Sequence, residues 1–331
     1  MHREVVNAGI LGIGTYVPER ILTNTELEKM VDTSDEWIRS RSGICERRIA
    51  GPEQATSDLA SNAARRALAD AGTAPEEIDL VICATDTADM IFPATACLVQ
   101  DRIGVKKKAG AFDLAAGCTG FIYALTVGSQ FIVAGACRRV LVIGAETMSR
   151  VIDWEDRSTC VLFGDGAGAV VLGPVSAGEG ILATKLYSDG SGGPHLLLPA
   201  GGSRRPASSD TLNSRLHYLQ MNGREVFKFA VRVMGEAAEE VIAEAGLNKS
   251  DVDFFIPHQA NVRIIEPAAR RLGVPMEKVM VNVDRYGNTS TASIPLALEE
   301  AVRGGRINKG DHVVVVGFGA GLTWGAVVIK W

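Results

Sequence analysis

The sequence predicts an α/β fold in which two similar halves stack layers of helix and sheet. Residues 64–82 (ARRALADAGTAPEEIDLVI) and 238–256 (AEEVIAEAGLNKSDVDFFI) align without a gap at an offset of 174, with six identities and matching polarity at most other pairs. A second pair, RRVLVIGAE at 138–146 and DHVVVVGFG at 311–319, aligns at an offset of 173 when Gly144 is set against Gly317. Two matches at nearly one spacing point to a duplication. The runs LVIC, VLVIG, AVVLG, FFIP and VVVVG are apolar throughout, the pattern of strands covered on both faces.

In order along the chain, each copy of the repeat reads as an amphipathic helix stopped by Gly72 or Gly246, a short acidic loop, and an apolar strand. Two stretches without charge, Leu114 to Cys137 and Val313 to Ile329, are long enough to raise the question of a membrane span. The first contains Gly117, Gly120, Gly128, Ser129 and Gln130 and reads as a buried helix. The second is broken by Gly317, Gly319 and Gly321 and reads as two strands joined by a glycine turn. No Pro/Ser-rich linker parts the halves, which meet near 170–180, so 1–175 and 176–331 are taken as the two units. Ser188–Ser214 is a long loop-like segment, a surface excursion or a lid.

With 34 Lys+Arg against 39 Asp+Glu, the net charge of −5 argues against nucleic acid as the main partner. At 47% hydrophobic and 22% charged residues, the composition is that of a folded globular protein. The six cysteines form no CxxC pair and all lie in the first half, which fits a reduced cytoplasmic setting better than a disulfide framework. No apolar run suited to a signal peptide opens the sequence, and no His/Cys spacing suggests a metal.

Chemistry concentrates in a few places. In DLAAGCTGFIYAL, Cys118 stands between a strand-like lead and a long apolar helix. A cysteine on a first helical turn feels the positive end of the helix dipole, which lowers its pKa. The plainer reading is a small buried residue, and the other five cysteines take it. Of the five histidines, His2 lies at the terminus, His312 opens a strand, and His217 has no evident partner. His195 sits in a loop, whereas His258 ends the strand DFFIP ahead of a helical pattern, where α/β folds place their sites. A structural, helix-capping His258 is the alternative. In GNTSTASIP, Asn288 follows Gly287 in a turn that opens a helix, and turn chemistry alone could account for it. GFGAGLTWGA lacks the residues of a P-loop and the spacing of a dinucleotide loop, so its N–H groups suit an oxyanion better than a phosphate.

Taken together and in this order, TSDEWIRSRSGICERR, GCTGFIYAL, FGDGAGAVVL, PHQAN, GNTSTASIP and GFGAGLTWG resemble the β-ketoacyl-[acyl-carrier-protein] synthase III family over nearly the whole chain. The resemblance implies a thiolase-like fold, a layered α-β-α-β-α sandwich, and a Cys118–His258–Asn288 triad with an oxyanion hole from the N–H groups of Cys118 and Ala320. It implies that Trp37, Arg41 and Arg157 hold the adenine and phosphate end of coenzyme A, and that Asn222, Phe227 and Ala260 line a pantetheine tunnel. It further implies that Lys228 and Arg263 face an acidic carrier protein and that Phe92 reaches across a homodimer interface to floor the acyl pocket. Ala320 departs from the glycine common at that position and adds a methyl near the acyl site.

The implied reaction is a decarboxylative condensation of an acyl-CoA primer with malonyl-acyl carrier protein through an acyl-cysteine. Coenzyme A is then a substrate, with no metal or redox cofactor, no nucleic acid and no membrane involved. A related acyltransferase or a polyketide-type starter synthase of secondary metabolism is the main rival. A Cys-His-Asn hydrolase and a catalytically dead acyl-CoA-binding module are the others.

Overall fold

The computed structural model describes residues 6–331, and His2 lies outside them. The first sheet has five strands: β1 (Val6–Tyr16), β2 (Leu80–Ala84), β3 (Gly110–Leu114), β4 (Val140–Thr147) and β5 (Asp165–Ser176). Their spatial order is β1-β5-β4-β2-β3. The second sheet holds β6 (Gly180–Ser188), β7 (Phe254–Pro257), β8 (His312–Gly319) and β9 (Thr323–Lys330), in the order β7-β8-β9-β6. The last strand of the first sheet ends at Ser176 and the first strand of the second starts at Gly180.

Both sheets are mixed. β2 runs parallel to β3 and β4, while β5 is antiparallel to its neighbours β1 and β4. In the second sheet β7 and β8 are parallel, and β9 is antiparallel to β8 and β6. The apolar runs are still buried on both faces because helices cover both. Leu80, Ile82 and Ala84 of β2 face one cluster while Val81 and Cys83 face another, the period of two of a pleated strand.

Among the described residues seven helices have eight residues or more: α1 (Asp35–Ser42), α2 (Thr56–Asp70), α3 (Thr95–Ile103), α4 (Gly120–Val133), α5 (Gly223–Glu244), α6 (Val262–Leu272) and α7 (Ser293–Arg303). α4 and α7 lie between the sheets, with Phe121, Ile122 and Leu125 meeting Ile294, Ala297 and Leu298 in one core. α2 and α3 cover the outer face of the first sheet, and α5 and α6 that of the second. The result is α-β-α-β-α. The repeat corresponds element for element: α2, a 3-10 turn at 75–77 and β2 match α5, a turn at 249–251 and β7.

The two charge-free stretches resolve into β3's end plus α4, and into β8 and β9. Among the described residues, no helix is long and apolar enough to cross a membrane. The segment read as a loop over 188–214 carries local order: a 3-10 turn at 190–195, a strand pair Leu196–Leu197 with Gln220–Met221, and a helical turn at Ser209–Asn213.

Candidate active site

The parallel strands β2 and β7 deliver their C-terminal ends to the same region, as do β4 and β8, and the site gathers there. A cavity of about 790 Å³ is lined by Cys118, His258, Asn288 and Ala320, together with Trp37, Arg41, Phe227 and Ala260. Its walls are mainly apolar, with Leu196, Leu197, Leu198, Leu219, Met221, Val226 and Ile264.

Cys118 lies in a 3-10 turn, Gly117–Thr119, at the entry to α4. Gly117 has φ +57, and a Cβ on it would stand 2.3 Å from the N of Ala320. A Cβ on Gly319 would stand 2.3 Å from the N of Cys118. Glycine at both positions therefore lets the nucleophile turn and the glycine loop meet backbone to backbone. Ala320 is absent from the non-glycine residues with positive φ, so its conformation suits a side chain.

The expected lowering of the Cys118 pKa does not hold. Burial pushes the thiol up to about 12, the hydroxyl of Ser290 opposes the rise, and the charges of Asp86 and Glu146 add to it. Desolvation of the sulfur outweighs the helix terminus.

His258 follows β7, its N–H donating to the Val316 carbonyl of β8 (2.8 Å). It does not cap a helix; Asn261 does that, accepting from the Arg263 N–H (2.8 Å). The ring is 1% exposed and its Nδ1 lies 2.6 Å from Ser293 Oγ. Its Nε2 has no partner among the described residues. Burial lowers the pKa to about 3, so the ring is neutral at physiological pH. The unfolded chain protonates this imidazole below pH 6.5 and the folded chain does not, so stability falls with pH between 6.5 and about 3. At about 1.4 kcal/mol per unit, wild type should lose about 2 kcal/mol more than His258→Gln between pH 7 and 5. Urea unfolding at the two pH values measures the difference; equal losses would refute the assignment.

Asn288 is clamped by the first half: its N–H donates to the Leu162 carbonyl (2.8 Å) and its carbonyl accepts from the Gly164 N–H (3.1 Å). Its Oδ1 accepts from the Ser290 N–H (2.9 Å), which leaves the Nδ2 hydrogens for the cavity. Arg47 supports the clamp from below. It is fully buried and donates to the carbonyls of Leu22 (3.2 Å) and Val161 (2.7 Å) and to Asn24 Oδ1 (2.8 Å).

Other residues singled out by the sequence sit around this centre. Arg157 is not in the cavity wall; it packs over the Trp37 ring at 5.0 Å and pairs with Asp32 (3.2 Å). Asn222 caps α5, accepting from the Glu225 N–H (3.4 Å), with its neighbours Met221 and Gly223 in the wall. Lys228 is exposed and pairs with Glu225 (2.9 Å), and the Arg263 guanidinium lies 5.7 Å from the Phe227 ring. Phe92 lies outside the cavity of its own chain, 82% exposed beside Ile91 and Met90.

Sequence reasoning missed Asp86, Glu146, Ser290 and Ser293. Glu146 carried a signal, as the one charge in the apolar run VLVIGAET. It is completely buried and accepts from Ser290 Oγ (3.2 Å), Thr291 Oγ1 (3.1 Å), Thr85 Oγ1 (3.3 Å), Thr87 Oγ1 and the Asp86 N–H (3.1 Å).

Known proteins agree on what shares this arrangement. Residues 112–190 and 242–331 match the models of 3-oxoacyl-[acyl-carrier-protein (ACP)] synthase III and of its C-terminal region. The β-ketoacyl-[acyl-carrier-protein] synthase III of Desulfitobacterium hafniense is 59% identical over 327 residues, 99% of this chain and 98% of that one. The crystallised synthase III of Thermus thermophilus is 53% identical with a TM-score of 0.90, covering 98% of this chain and 99% of that one. The Aquifex aeolicus 3-oxoacyl-[acyl-carrier-protein] synthase III superposes with a TM-score of 0.90 at 49% identity, covering 98% and 100%. On this likeness along almost its entire length, the chain belongs to the 3-oxoacyl-[acyl-carrier-protein] synthase III family.

Proposed function

We propose that the chain condenses an acyl-CoA primer with malonyl-acyl carrier protein, releasing CO₂ and starting fatty acid synthesis. The observation that carries this is one cavity in which a thiol from the first half faces an unpartnered imidazole nitrogen and a carboxamide from the second. In the first half-reaction Cys118 attacks the acyl thioester, coenzyme A leaves, and the N–H groups of Cys118 and Ala320 receive the oxyanion. Each such donor is worth about 2.7–4 kcal/mol.

In the second, His258 and Asn288 both donate to the malonyl thioester oxygen and stabilise the enolate left by loss of CO₂. The local hydrogen bonds favour the required tautomer. The Gln259 N–H donates to Ser293 Oγ (3.4 Å), which leaves the Ser293 O–H for His258 Nδ1 and the ring proton on Nε2. The Asn288 Oδ1 is already engaged by Ser290, so its Nδ2 is the group turned to substrate. The enolate carbon then attacks the acyl-cysteine, and a proton restores the thiol.

The Trp37–Arg157 stack with Arg41 suits the adenine and phosphates of coenzyme A. Phe227 and Ala260, with the segment at Asn222, suit the pantetheine arm. Lys228 and Arg263 offer positive charge to an acidic carrier protein. The exposed Phe92 fits a second copy of the chain, whose acyl pocket it would close. Incubation with acyl-CoA and malonyl-carrier protein should give a 3-oxoacyl-carrier protein by intact mass with one CO₂ per turnover. An ester or amide product without CO₂ would make the chain a different acyltransferase.

A further inference from the structure

Both substrates of that condensation are thioesters, but only one of them should load Cys118. Malonyl on the sulfur would block the nucleophile, so the proposed reaction requires the acyl end of the site to tell a neutral acyl group from one that bears a carboxylate. The cavity wall holds a group able to do so. Among the described residues that line it, the cations are Arg41 and Arg224, both exposed, and Asp86 is the one carboxylate.

The sheet puts Asp86 beside the nucleophile. β2 and β3 are parallel neighbours, with Ala84 opposite Leu114 and the Thr85 N–H donating to the Leu114 carbonyl (3.2 Å). Asp86 follows directly on that pairing, and the turn of Cys118 follows β3. A Cβ on Gly120, at the end of that turn, would stand 3.1 Å from the Ala84 Cβ. The Asp86 N–H is tied to Glu146 Oε1 (3.1 Å), which also accepts from Oγ of the wall residue Ser290 (3.2 Å). The Asp86 side chain is left exposed to the cavity. Asp86 also opens the segment that ends in Phe92, the residue proposed to close a second copy's acyl pocket, which sets it apart from the coenzyme A rim of Trp37 and Arg41.

We propose that Asp86 is a specificity-determining residue: its carboxylate admits uncharged acyl groups to Cys118 and turns away thioesters whose acyl group ends in a carboxylate, malonyl and succinyl among them. Nothing nearby cancels the charge. Among the described residues no Lys or Arg pairs with Asp86 or Glu146. The other carboxylates close by are engaged elsewhere, Asp89 by Ser57 and Asp113 by the N–H groups of Thr95 and Ala96. Burial raises Asp86 to about 6, and burial followed by the Asp86 charge raises Glu146 to about 8. Near pH 7 the pair therefore carries its charge on Asp86, the member open to the cavity. An acyl carboxylate meets like charge there in a mainly apolar space that screens it poorly. Malonyl-carrier protein arrives only after Cys118 is acylated, when the acyl group stands between Asp86 and the incoming carboxylate.

The test loads Cys118 of the full chain from butyryl-CoA or succinyl-CoA, acyl groups of equal carbon count that differ by a carboxylate, and reads single-turnover acylation by intact mass in wild type, Asp86→Asn and Asp86→Glu. Wild type should take butyryl about tenfold faster than succinyl or more. Asp86→Asn should raise the succinyl-to-butyryl ratio about tenfold, and Asp86→Glu should keep it low. Removing the charge also eases ionisation of the thiol, which speeds both acylations alike, so the ratio cancels that effect. Iodoacetate and iodoacetamide repeat the comparison without a thioester: the anionic reagent should gain about tenfold on the neutral one in Asp86→Asn. Ratios in Asp86→Asn equal to those of wild type overturn the assignment, as does a Glu variant that behaves like Asn. A wild type that takes succinyl as readily as butyryl overturns it without any variant. A wild type that is alkylated at Cys118 but neither acylated nor able to decarboxylate malonyl-carrier protein overturns the proposed condensation instead, and the alkylation ratio still decides the part of Asp86.

Discussion

Cys118→Ala should show no covalent acyl adduct by intact mass after incubation with acyl-CoA, and condensation should fall by about four orders of magnitude or more, the usual scale for loss of a nucleophile. Malonyl-carrier protein decarboxylation should survive within about tenfold, because its oxyanion donors, His258 Nε2 and Asn288 Nδ2, lie on the other half of the molecule. Removing one sulfur atom from a position 9% exposed on a cavity wall leaves the glycine contacts of the turn intact. Thermal unfolding should therefore shift little. An adduct on any other cysteine, or decarboxylation lost together with acylation, would refute this division of labour.

Asn288→Ala should do the reverse: acylation of Cys118 persists while decarboxylation falls about 10²–10³-fold, as for loss of one preorganised oxyanion donor. The alanine also strips the Ser290 N–H of its partner, and a buried unpaired donor costs about 1–3 kcal/mol. Asn288→Asp separates the two effects. It keeps the oxygen that holds the turn but loses the Nδ2 donor, so it should match the alanine variant in decarboxylation and exceed it in stability. Labelled CO₂ release and mass-spectrometric acylation on the same samples read both half-reactions. Condensation at the full rate in either variant would remove Asn288 from the reaction.

Much of this molecule is legible in its sequence. The repeat at 64–82 and 238–256 identified matching helix–turn–strand units because each packs locally and keeps its apolar spacing. The apolar runs gave the covered sheets, though not their mixed direction: β5 reads like a parallel strand because burial, not polarity of pairing, dictates its composition. Cys118, His258 and Asn288 stood out from their flanking turns.

What stayed hidden depends on distant partners. Glu146 is satisfied by residues 85–87 and 290–291, far from it in sequence. Arg47 sits in ERRI, which reads as solvated charge, yet it is fully enclosed by carbonyls of Leu22 and Val161. The state of the Cys118 thiol escapes the sequence for the same reason. A helix start is visible in sequence, and the depth at which it is buried is not.

The last strand described, β9, runs between β8 and β6 and not along a border. Until β9 has been synthesised, β6 has no partner in the second sheet and the edge of β8 away from β7 is open. A nascent chain that has not yet added β9 thus presents open ladder edges, features prone to misassembly. Insertion of β9 between β8 and β6 closes them.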